Sequence, residues 1–274
     1  MIYKQLGNCT NVSNICFGTA NLFDKDKKIS TKQSLRLLKC CTENGINFFD
    51  TADEYGKGRV EKLLGNFIKR EKKKIFVSTK IGQLYGFSKN KIQKAVDNSL
   101  KRLNLDSIDF LFFHSGSNRE FLNDDLWNIL NKNKDSGKIK NLGLSLKTSY
   151  LINNDNLQIQ KASDYNVKII NLAYNPFFPF AKKIFNNPKK SKYEFISRLA
   201  FSSGLVFKAK REEKFKKYFG KKNLDNLLRF KVKNLSNDFI AKKIIKNILK
   251  EKKIKSCIIG ASKIKQLKLL ESFK

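Results

Sequence analysis

The chain has 274 residues, and its 57 Lys and Arg against 24 Asp and Glu give a formal net charge of +33. Hydrophobic residues still make up 41% of the sequence and aromatic residues 12%, which excludes a disordered basic tail or a histone-like arm. The length suits one large α/β domain or two small ones. The sequence shows no linker or repeat, so residues 1–274 are expected to form a single domain.

The N-terminal sequence, MIYKQLGNCT, lacks the basic and apolar segments of a signal peptide. No apolar run approaches the roughly 20 residues that span a bilayer, so we expect a cytoplasmic protein that is not bound to membranes. The five Cys form no Cys-x-x-Cys pair, and this indicates neither a disulfide framework nor a metal site.

The positive charge comes mostly from Lys, with 49 Lys against eight Arg. Proteins that read bases rely on the planar fork of Arg, whereas Lys is a hydrated point charge. The composition therefore favours a solvated Lys-rich surface without a specific nucleic-acid partner, and a sequence-independent nucleic-acid surface is the alternative. Self-repulsion at this charge favours a monomer.

Eight short apolar runs alternate with longer amphipathic stretches along the chain. The predicted strands are 14–19, 46–50, 75–80, 108–114, 139–146, 167–174, 194–201 and 256–261. The predicted helices are 31–44, 59–69, 88–103, 119–133 and 236–252, with Ser30, Ser88 and Ser236 as N-caps. The sixth helix is expected to be short, because Pro179 and Pro188 interrupt residues 177–192.

Strands that are apolar throughout and separated by helices predict a parallel sheet covered by helices. Eight such units predict a single (β/α)8 TIM barrel of the α/β class, with residues 2–13 forming a short N-terminal hairpin that closes the barrel floor. No strand is followed by a G-x-G-x-x-G turn, which argues against a Rossmann dinucleotide-binding unit.

Polar residues end three consecutive predicted strands: Asp50, Lys80 and His114, the only histidine. In TIM barrels the chemistry lies at the carboxyl ends of the strands, so these side chains and Tyr55 in the following loop are expected to meet. A buried Lys80 beside Tyr55 would lower the pKa of the phenol, and Asp50 would keep Lys80 charged. Because His114 could then hydrogen-bond a carbonyl oxygen, the set suits carbonyl reduction.

Three segments carrying these residues resemble the aldo-keto reductases: 44–65 (NGINFFDTADEYGKGRVEKLLG), 75–82 (IFVSTKIG) and 96–116 (VDNSLKRLNLDSIDFLFFHSG). The resemblance implies an enzyme that reduces an aldehyde or ketone with hydride from NADPH, with NADH also compatible. It implies Tyr55 as general acid, Lys80 and Asp50 as its tuning pair, and His114 as the group that orients the carbonyl.

The resemblance also implies a set of cofactor-binding residues. These are Gly18, Thr19, Ser145, Asn171 in place of a Gln, Phe201 in place of a stacking Tyr, Gly204, Leu205, Gly260, Ser262 and Gln266. Three further positions depart from the family pattern, because Leu146 replaces an Asn, and Leu269 and Leu270 replace a Glu-Asn pair. Lys263 and Lys265 are either ligands of the NADPH 2′-phosphate or solvated charges.

Three other functions remain open on sequence grounds. The first is a catalytically weak nicotinamide-binding sensor or regulatory protein on the same barrel, and the second is an electrostatic nucleic-acid binder. The third is an aldolase with Lys80 as a Schiff-base nucleophile, which a Tyr beside Asp50 disfavours. The substrate is expected to be a small-molecule carbonyl compound, and short loops favour an open site that accepts a bulky or polar one such as a sugar derivative.

Overall fold

The computed structural model of the chain describes residues 1–23, 29–187, 192–207, 213, 216–217, 220–231 and 236–273. The strands are β1 (Tyr3–Leu6), β2 (Cys9–Ser13), β3 (Ile15–Gly18), β4 (Phe48–Asp50), β5 (Phe76–Ile81), β6 (Ile108–His114), β7 (Ile139–Ser145), β8 (Ile169–Ala173), β9 (Glu194–Arg198) and β10 (Ile254–Ile259). The helices are α1 (Thr31–Glu43), α2 (Arg59–Ile68), α3 (Lys89–Leu103), α4 (Asn118–Phe121), α5 (Asp124–Asp135), α6 (Thr148–Ile152), α7 (Leu157–Lys161), α8 (Lys182–Phe185), α9 (Lys221–Lys231) and α10 (Asn237–Leu249). Short 3₁₀ turns cover Tyr55–Gly58, Ala162–Tyr165, Pro179–Ala181, Ser202–Phe207 and Ile264–Phe273.

Strands β3 to β10 pair in chain order, all in parallel, and β10 returns to β3 to close a barrel. This confirms the predicted (β/α)8 fold, and each of the eight predicted strands overlaps an observed one. The strands are buried on both faces, β6 along its whole length, which explains why their sequences are apolar without alternation.

All three predicted N-cap residues directly precede their helices, and two of them cap through the side chain. The side chains of Ser30 and Ser236 accept hydrogen bonds from Gln33 N and Phe239 N, whereas the Ser88 side chain makes no capping bond. The helix predicted over 119–133 is two helices, because the side chain of Asn123 caps a second start at α5.

The predicted weakness of the sixth helical unit is also observed. After the turn that begins at Pro179, α8 is only four residues long. Pro188 lies outside the described residues.

Two hydrophobic layers stabilise the barrel. The larger layer lies between strands and helices, and the smaller one fills the barrel interior with Phe48, Phe76, Phe110, Phe112, Cys16, Ile169 and Ile196. Leu6, Cys9 and Val12 of the β1–β2 hairpin join the inner layer, which confirms that the hairpin closes the floor.

Backbone N–H groups of the hairpin turn fix it to the barrel. Gly7 N donates to Glu194 Oε2 (2.6 Å), and Asn8 N donates to Asn141 Oδ1 (2.9 Å). Gly7 has φ +53°, and a Cβ there would lie 2.2 Å from Asn141 Oδ1, so only glycine fits this turn.

Within the described ranges, none of the helices is both long and apolar enough to cross a bilayer. All five Cys side chains are free thiols, and four of them are buried.

Candidate active site

Side-chain alternation places the polar strand ends inside the barrel mouth. Phe48, Phe76 and Phe112 point into the barrel interior. Residues two or four positions further along the same strands point the same way, and these are Asp50, Lys80 and His114. The sequence therefore positions three polar groups above an apolar floor without help from any loop.

Lys80 and Asp50 form a buried ion pair at the centre of the mouth. Lys80 is 2% exposed, and its Nζ donates to Asp50 Oδ2 at 2.6 Å and to Thr51 O at 2.7 Å. Ser78 Oγ donates to Asp50 Oδ1 at 2.8 Å. Burial opposes the charge on Lys80, but the attraction of Asp50 and Tyr55 outweighs it and raises the pKa of Lys80. The ammonium therefore persists at neutral pH.

Tyr55 reaches this pair from the loop after β4. Lys80 Nζ donates to Tyr55 Oη at 3.4 Å. The turn is fixed by left-handed backbone at Gly56, Lys57 and Gly58, with φ of 57°, 56° and 84°. Burial raises the pKa of Tyr55, and the nearby Lys80 only partly offsets this. Lys80 lowers the pKa of the phenol, as expected, but desolvation of the phenolate is the larger effect and the net shift is upward.

His114 completes the group at the end of β6. Its ring lies perpendicular to the ring of Tyr55, with centroids 6.4 Å apart, and its Nδ1 is 3.6 Å from Glu54 Oε1. Burial, and then the charges of Lys80 and Arg198, lower the pKa of His114 to about 3. The imidazole is therefore neutral at physiological pH, with one N–H to donate and one nitrogen to accept.

Polar groups on the opposite side of the mouth lack partners. Ser145 ends β7 and pairs with His114, Asn171 in the middle of β8 pairs with Ser145, and both side chains are buried. Neither Asn171 Nδ2 nor Asn171 Oδ1 has a hydrogen-bond partner among the residues the structure describes. An unpaired buried amide costs about 1–3 kcal/mol, and a ligand with a complementary amide would remove that cost. Leu146, the departure beside Ser145, packs into the outer hydrophobic layer.

Strand β9 presents a residue that the sequence interpretation missed. Its last residue, Arg198, lies two positions after the inward-facing Ile196 and therefore faces the mouth. Phe201, predicted to stack on a nicotinamide, lies beyond the strand and packs against Phe207 with centroids 5.1 Å apart. Because side chains alternate between the two faces of a strand, counting two residues on from the inward-facing Ile196 would have identified Arg198 as a residue of the barrel mouth.

Two of the predicted cofactor residues are engaged in structural contacts. Thr19 donates to Asp50 O through its backbone N and its hydroxyl, both at 2.9 Å. Leu205 is buried in the outer hydrophobic layer. Gly204 has φ +79° with open space at its Cβ position, so that loop could approach a ligand closely.

The loop after β10 is organised by Gln266. Its Oε1 accepts hydrogen bonds from Ser262 N (2.8 Å) and Lys263 N (2.9 Å), and Gln33 of α1 donates to Ser262 O (2.7 Å). Gly260 lies beside Gly18, since a Cβ at Gly260 would be 3.6 Å from Gly18 O. Leu269 and Leu270 are buried in the hydrophobic core, which explains apolar residues at these positions.

A cavity of about 340 Å³ lies where this loop meets α1. Three cations line it, Lys32, Arg36 and Lys263, together with Ser30, Gln33 and Ile264. Of the two predicted 2′-phosphate ligands, Lys263 therefore lines a basic cavity and Lys265 does not.

Solved structures of low identity share this fold. The holo form of an aldo-keto reductase from Bacillus halodurans superposes with a TM-score of 0.77 at 23% identity, covering 98% of this chain and 89% of that one. A glycerol dehydrogenase from Gluconobacter oxydans gives a TM-score of 0.73 at 22% identity, covering 97% and 87%.

Sequence relatives are similar over shorter stretches. A probable voltage-gated potassium channel subunit beta of Arabidopsis thaliana is 35% identical over 124 residues, 42% of this chain and 37% of that protein. An NADP(+) aldo-keto reductase of Schizosaccharomyces pombe is 30% identical over 189 residues, 64% of this chain and 52% of that protein. The chain thus spans about a third to a half of the length of the curated relatives it matches.

The sequence profile described as the Aldo/keto reductase family matches residues 14–271, nearly the whole barrel. The match covers Asp50, Tyr55, Lys80 and His114. With eight parallel strands closed into a barrel and this match over most of the sequence, the chain belongs to the aldo/keto reductase family.

Proposed function

We propose that this protein is an oxidoreductase that reduces an aldehyde or ketone with NADPH and uses Tyr55 as its general acid. The observation that carries the proposal is the buried Lys80 ammonium, bound to Asp50 at 2.6 Å and lying 3.4 Å from Tyr55 Oη. Family membership supports the same reaction class.

Tyr55 is suited to hold a proton until the reaction requires it. Burial raises the pKa of Tyr55, so the phenol is protonated at neutral pH. An alkoxide forming on the substrate is a far stronger base, because its conjugate alcohol has a pKa of roughly 16, like water. Lys80 would stabilise the phenolate left after proton transfer, and Asp50 keeps Lys80 charged.

His114 would orient the substrate. A neutral imidazole at the end of β6 can donate one N–H to the carbonyl oxygen without competing with Tyr55 as an acid. Because burial lowers the pKa of His114 to about 3, this role is independent of pH over the physiological range.

The residues opposite Tyr55 fit a nicotinamide cofactor. The unpaired buried amide of Asn171, with Ser145 beside it, would hold a carboxamide. Lys32, Arg36 and Lys263 line a cavity suited to the 2′-phosphate, which favours NADPH over NADH. When bound, the cofactor supplies the hydride that these residues cannot supply.

The variant Tyr55→Phe tests the proposal. We expect kcat for NADPH-dependent reduction of an aldehyde and ketone panel to fall by about 10²–10⁴-fold, because the phenol acts in the transition state. NADPH affinity, measured by fluorescence titration, should stay within about threefold of the parent. Tyr3→Phe is the matched control, since Tyr3 is 46% exposed at the barrel floor. Reduction at the parent rate by Tyr55→Phe would refute the assignment.

A nicotinamide-binding sensor on the same barrel is the second candidate. Similarity to a protein described as a potassium channel beta subunit favours it, and so does the displaced Phe201. NADPH binding without turnover of any carbonyl in the same panel would support the sensor over the enzyme.

A further inference from the structure

Asp53 connects the turn that carries Tyr55 to the strand that carries Lys80. It lies in the loop between β4 and Tyr55, and its side chain is fully buried. Its backbone N donates to Lys80 O at 2.9 Å, and its side-chain Oδ2 accepts from Gly82 N at 3.2 Å. Asp53 therefore holds the end of β5 at two points, one on each side of Ile81.

The contact with Gly82 continues to the end of β6. Gly82 has φ +115°, and a Cβ there would overlap the ring of Phe87, so only glycine fits and the backbone position is tightly defined. The next residue, Gln83, donates through Nε2 to His114 O at 2.7 Å. Asp53 thus begins a series of contacts that joins the loop after β4, the end of β5 and the end of β6.

A largely buried ion pair between helices α2 and α3 lies near Asp53. Glu61 of α2 accepts from Arg102 Nε of α3 at 2.7 Å. The charged groups that act on Asp53 among the described residues are this pair and Glu54 of its own loop. Burial, and then the repulsion of Glu61 and Glu54, raise the pKa of Asp53 to about 7, although the Gly82 N–H and Arg102 oppose the shift. The carboxyl is therefore uncharged in mildly acidic solution and charged above neutrality.

We propose that Asp53 is a positioning residue, whose uncharged carboxyl fixes the Tyr55 turn on the end of β5 and whose ionisation loosens that turn. A buried carboxylate beside Glu61 is costly unless water reaches it, so the charged form favours a turn that moves away from β5. A displacement of about 1 Å at a reacting group can lower the rate about 10²-fold. The effect on turnover rests on the reductase function proposed above.

The pH profile of the single-turnover rate of NADPH oxidation distinguishes this role from a structural one. The pKa of His114 is about 3, and those of Tyr55 and Lys80 lie above their ordinary values of about 10, so none of the three titrates between pH 5 and 9. We expect the rate of the parent to fall about tenfold between pH 6 and 8.5, with a midpoint near 7. In Asp53→Asn, which stays uncharged, the rate at pH 6 should be within about threefold of the parent and should not fall with pH.

Glu54→Gln controls for the other carboxyl near the mouth. Glu54 lies 3.6 Å from His114 Nδ1, and burial raises its pKa as well. The fall in rate between pH 6 and 8.5 should persist in this variant. A parent profile that is flat over this range would overturn the proposal, and so would a fall that disappears in Glu54→Gln or remains in Asp53→Asn.

Asp53→Ala removes the bond to Gly82 altogether. We expect its rate at pH 6 to fall about 10–100-fold, while NADPH affinity stays within about threefold of the parent. Asp109→Ala is the matched control, because Asp109 is also buried and its Oδ2 accepts from Val77 N of the same strand at 2.9 Å, at the floor end. Its rate should stay within about threefold, and an equal fall in the two variants would contradict a positioning role. If Asp53→Ala does not fold, the profile of Asp53→Asn still decides.

Hydrogen exchange followed by mass spectrometry tests the contact without any substrate. The backbone N–H of Tyr55 donates to Ala52 O at 3.1 Å, so its exchange reports the order of the turn. After correction for the intrinsic rate, residues 53–58 of the parent should exchange about tenfold faster at pH 8.5 than at pH 6, and those of Asp53→Asn should not. Equal exchange at the two pH values in the parent overturns the proposal. If the exchange changes as expected but no carbonyl is reduced, the reductase function fails while the role of Asp53 in holding the turn is supported.

Discussion

The two sides of the barrel mouth differ in how far the protein satisfies its own polar groups. At the ends of β4 and β5, Asp50 and Lys80 bind each other and two further partners, Ser78 and the carbonyl of Thr51. In the middle of β8 and at the end of β9, Asn171 and Arg198 keep buried atoms without partners in the described residues. Among the described residues, the first side satisfies the polar groups of Asp50 and Lys80, and the second does not satisfy all those of Asn171 and Arg198.

We call the side with Asp50 and Lys80 the rigid half of the mouth, and the side with Asn171 and Arg198 the receptive half. A charged pair that is already assembled in the ligand-free protein loses no reorganisation energy when the reaction occurs. Unpaired amide and guanidinium groups instead lower the stability of the ligand-free protein, and that cost becomes affinity when a ligand pairs them. Substitutions on the two sides should therefore affect stability in opposite directions.

The largest effect is expected from Lys80→Met on the rigid side. Removing the ammonium leaves Asp50 as a buried carboxylate without its counter-ion, and we expect the free energy of unfolding to fall by about 3–5 kcal/mol. Urea denaturation followed by circular dichroism measures it. The double variant Asp50→Asn, Lys80→Met should recover much of this loss, because no buried charge remains. If the free energy of unfolding of Lys80→Met fell by less than about 1 kcal/mol, the Lys80–Asp50 ion pair would not be the preassembled, stabilising contact described here.

An intermediate effect is expected from the neutral His114. In the unfolded chain its pKa is near 6.5, and burial lowers the folded value to about 3, so protons bind preferentially to the unfolded chain between these values. Stability from this group is complete above about pH 6.5 and is lost as the pH falls toward 3. Between pH 7 and pH 4, His114→Gln should lose about 3 kcal/mol less than the parent. Parallel curves for the two proteins would contradict the depressed pKa.

The smallest effect is expected from Asn171→Leu on the receptive side. Because the amide of Asn171 is buried without a partner in the described structure, Leu should raise the stability of the ligand-free protein by about 1–2 kcal/mol while weakening NADPH binding. Asn141→Leu is the control at the floor, where the same amide bonds Asn8 N and Asp109 O, and it should destabilise. If both variants destabilise equally, Asn171 is not a receptive group.

The barrel strands and the polar residues near their ends could be predicted from the sequence, because both faces of each strand are buried and its sequence is therefore apolar. Strand β6 was predicted at its observed bounds, because IDFLFFH is apolar up to the polar residue that ends it. The same rule located Asp50 and Lys80. In β4 and β6 the polar residue ends the strand, in β5 Ile81 follows it, and in all three it lies in the candidate active site.

Strand β9 shows where that rule fails. The apolar run was predicted to continue to residue 201, but the strand ends at Arg198, and Leu199 turns into left-handed backbone with φ 59°. Leu199, Ala200 and Phe201 carry no turn signal, so the composition hides the turn and Arg198 was taken as an interior residue. The net upward shift of the Tyr55 pKa was not predicted for a related reason, since the depth of burial that causes it arises from the packing of segments distant in sequence.

The hairpin at the barrel floor has a consequence for how protons travel. Leu6, Cys9 and Val12 cover the lower end, and above them Phe48, Phe76, Phe110 and Phe112 fill the interior with apolar rings. Lys80, directly above these rings, is 2% exposed. If Tyr55 acts as the proposed general acid, the proton that restores it after a turnover would enter from the carboxyl ends of the strands, on the same side as the reactants.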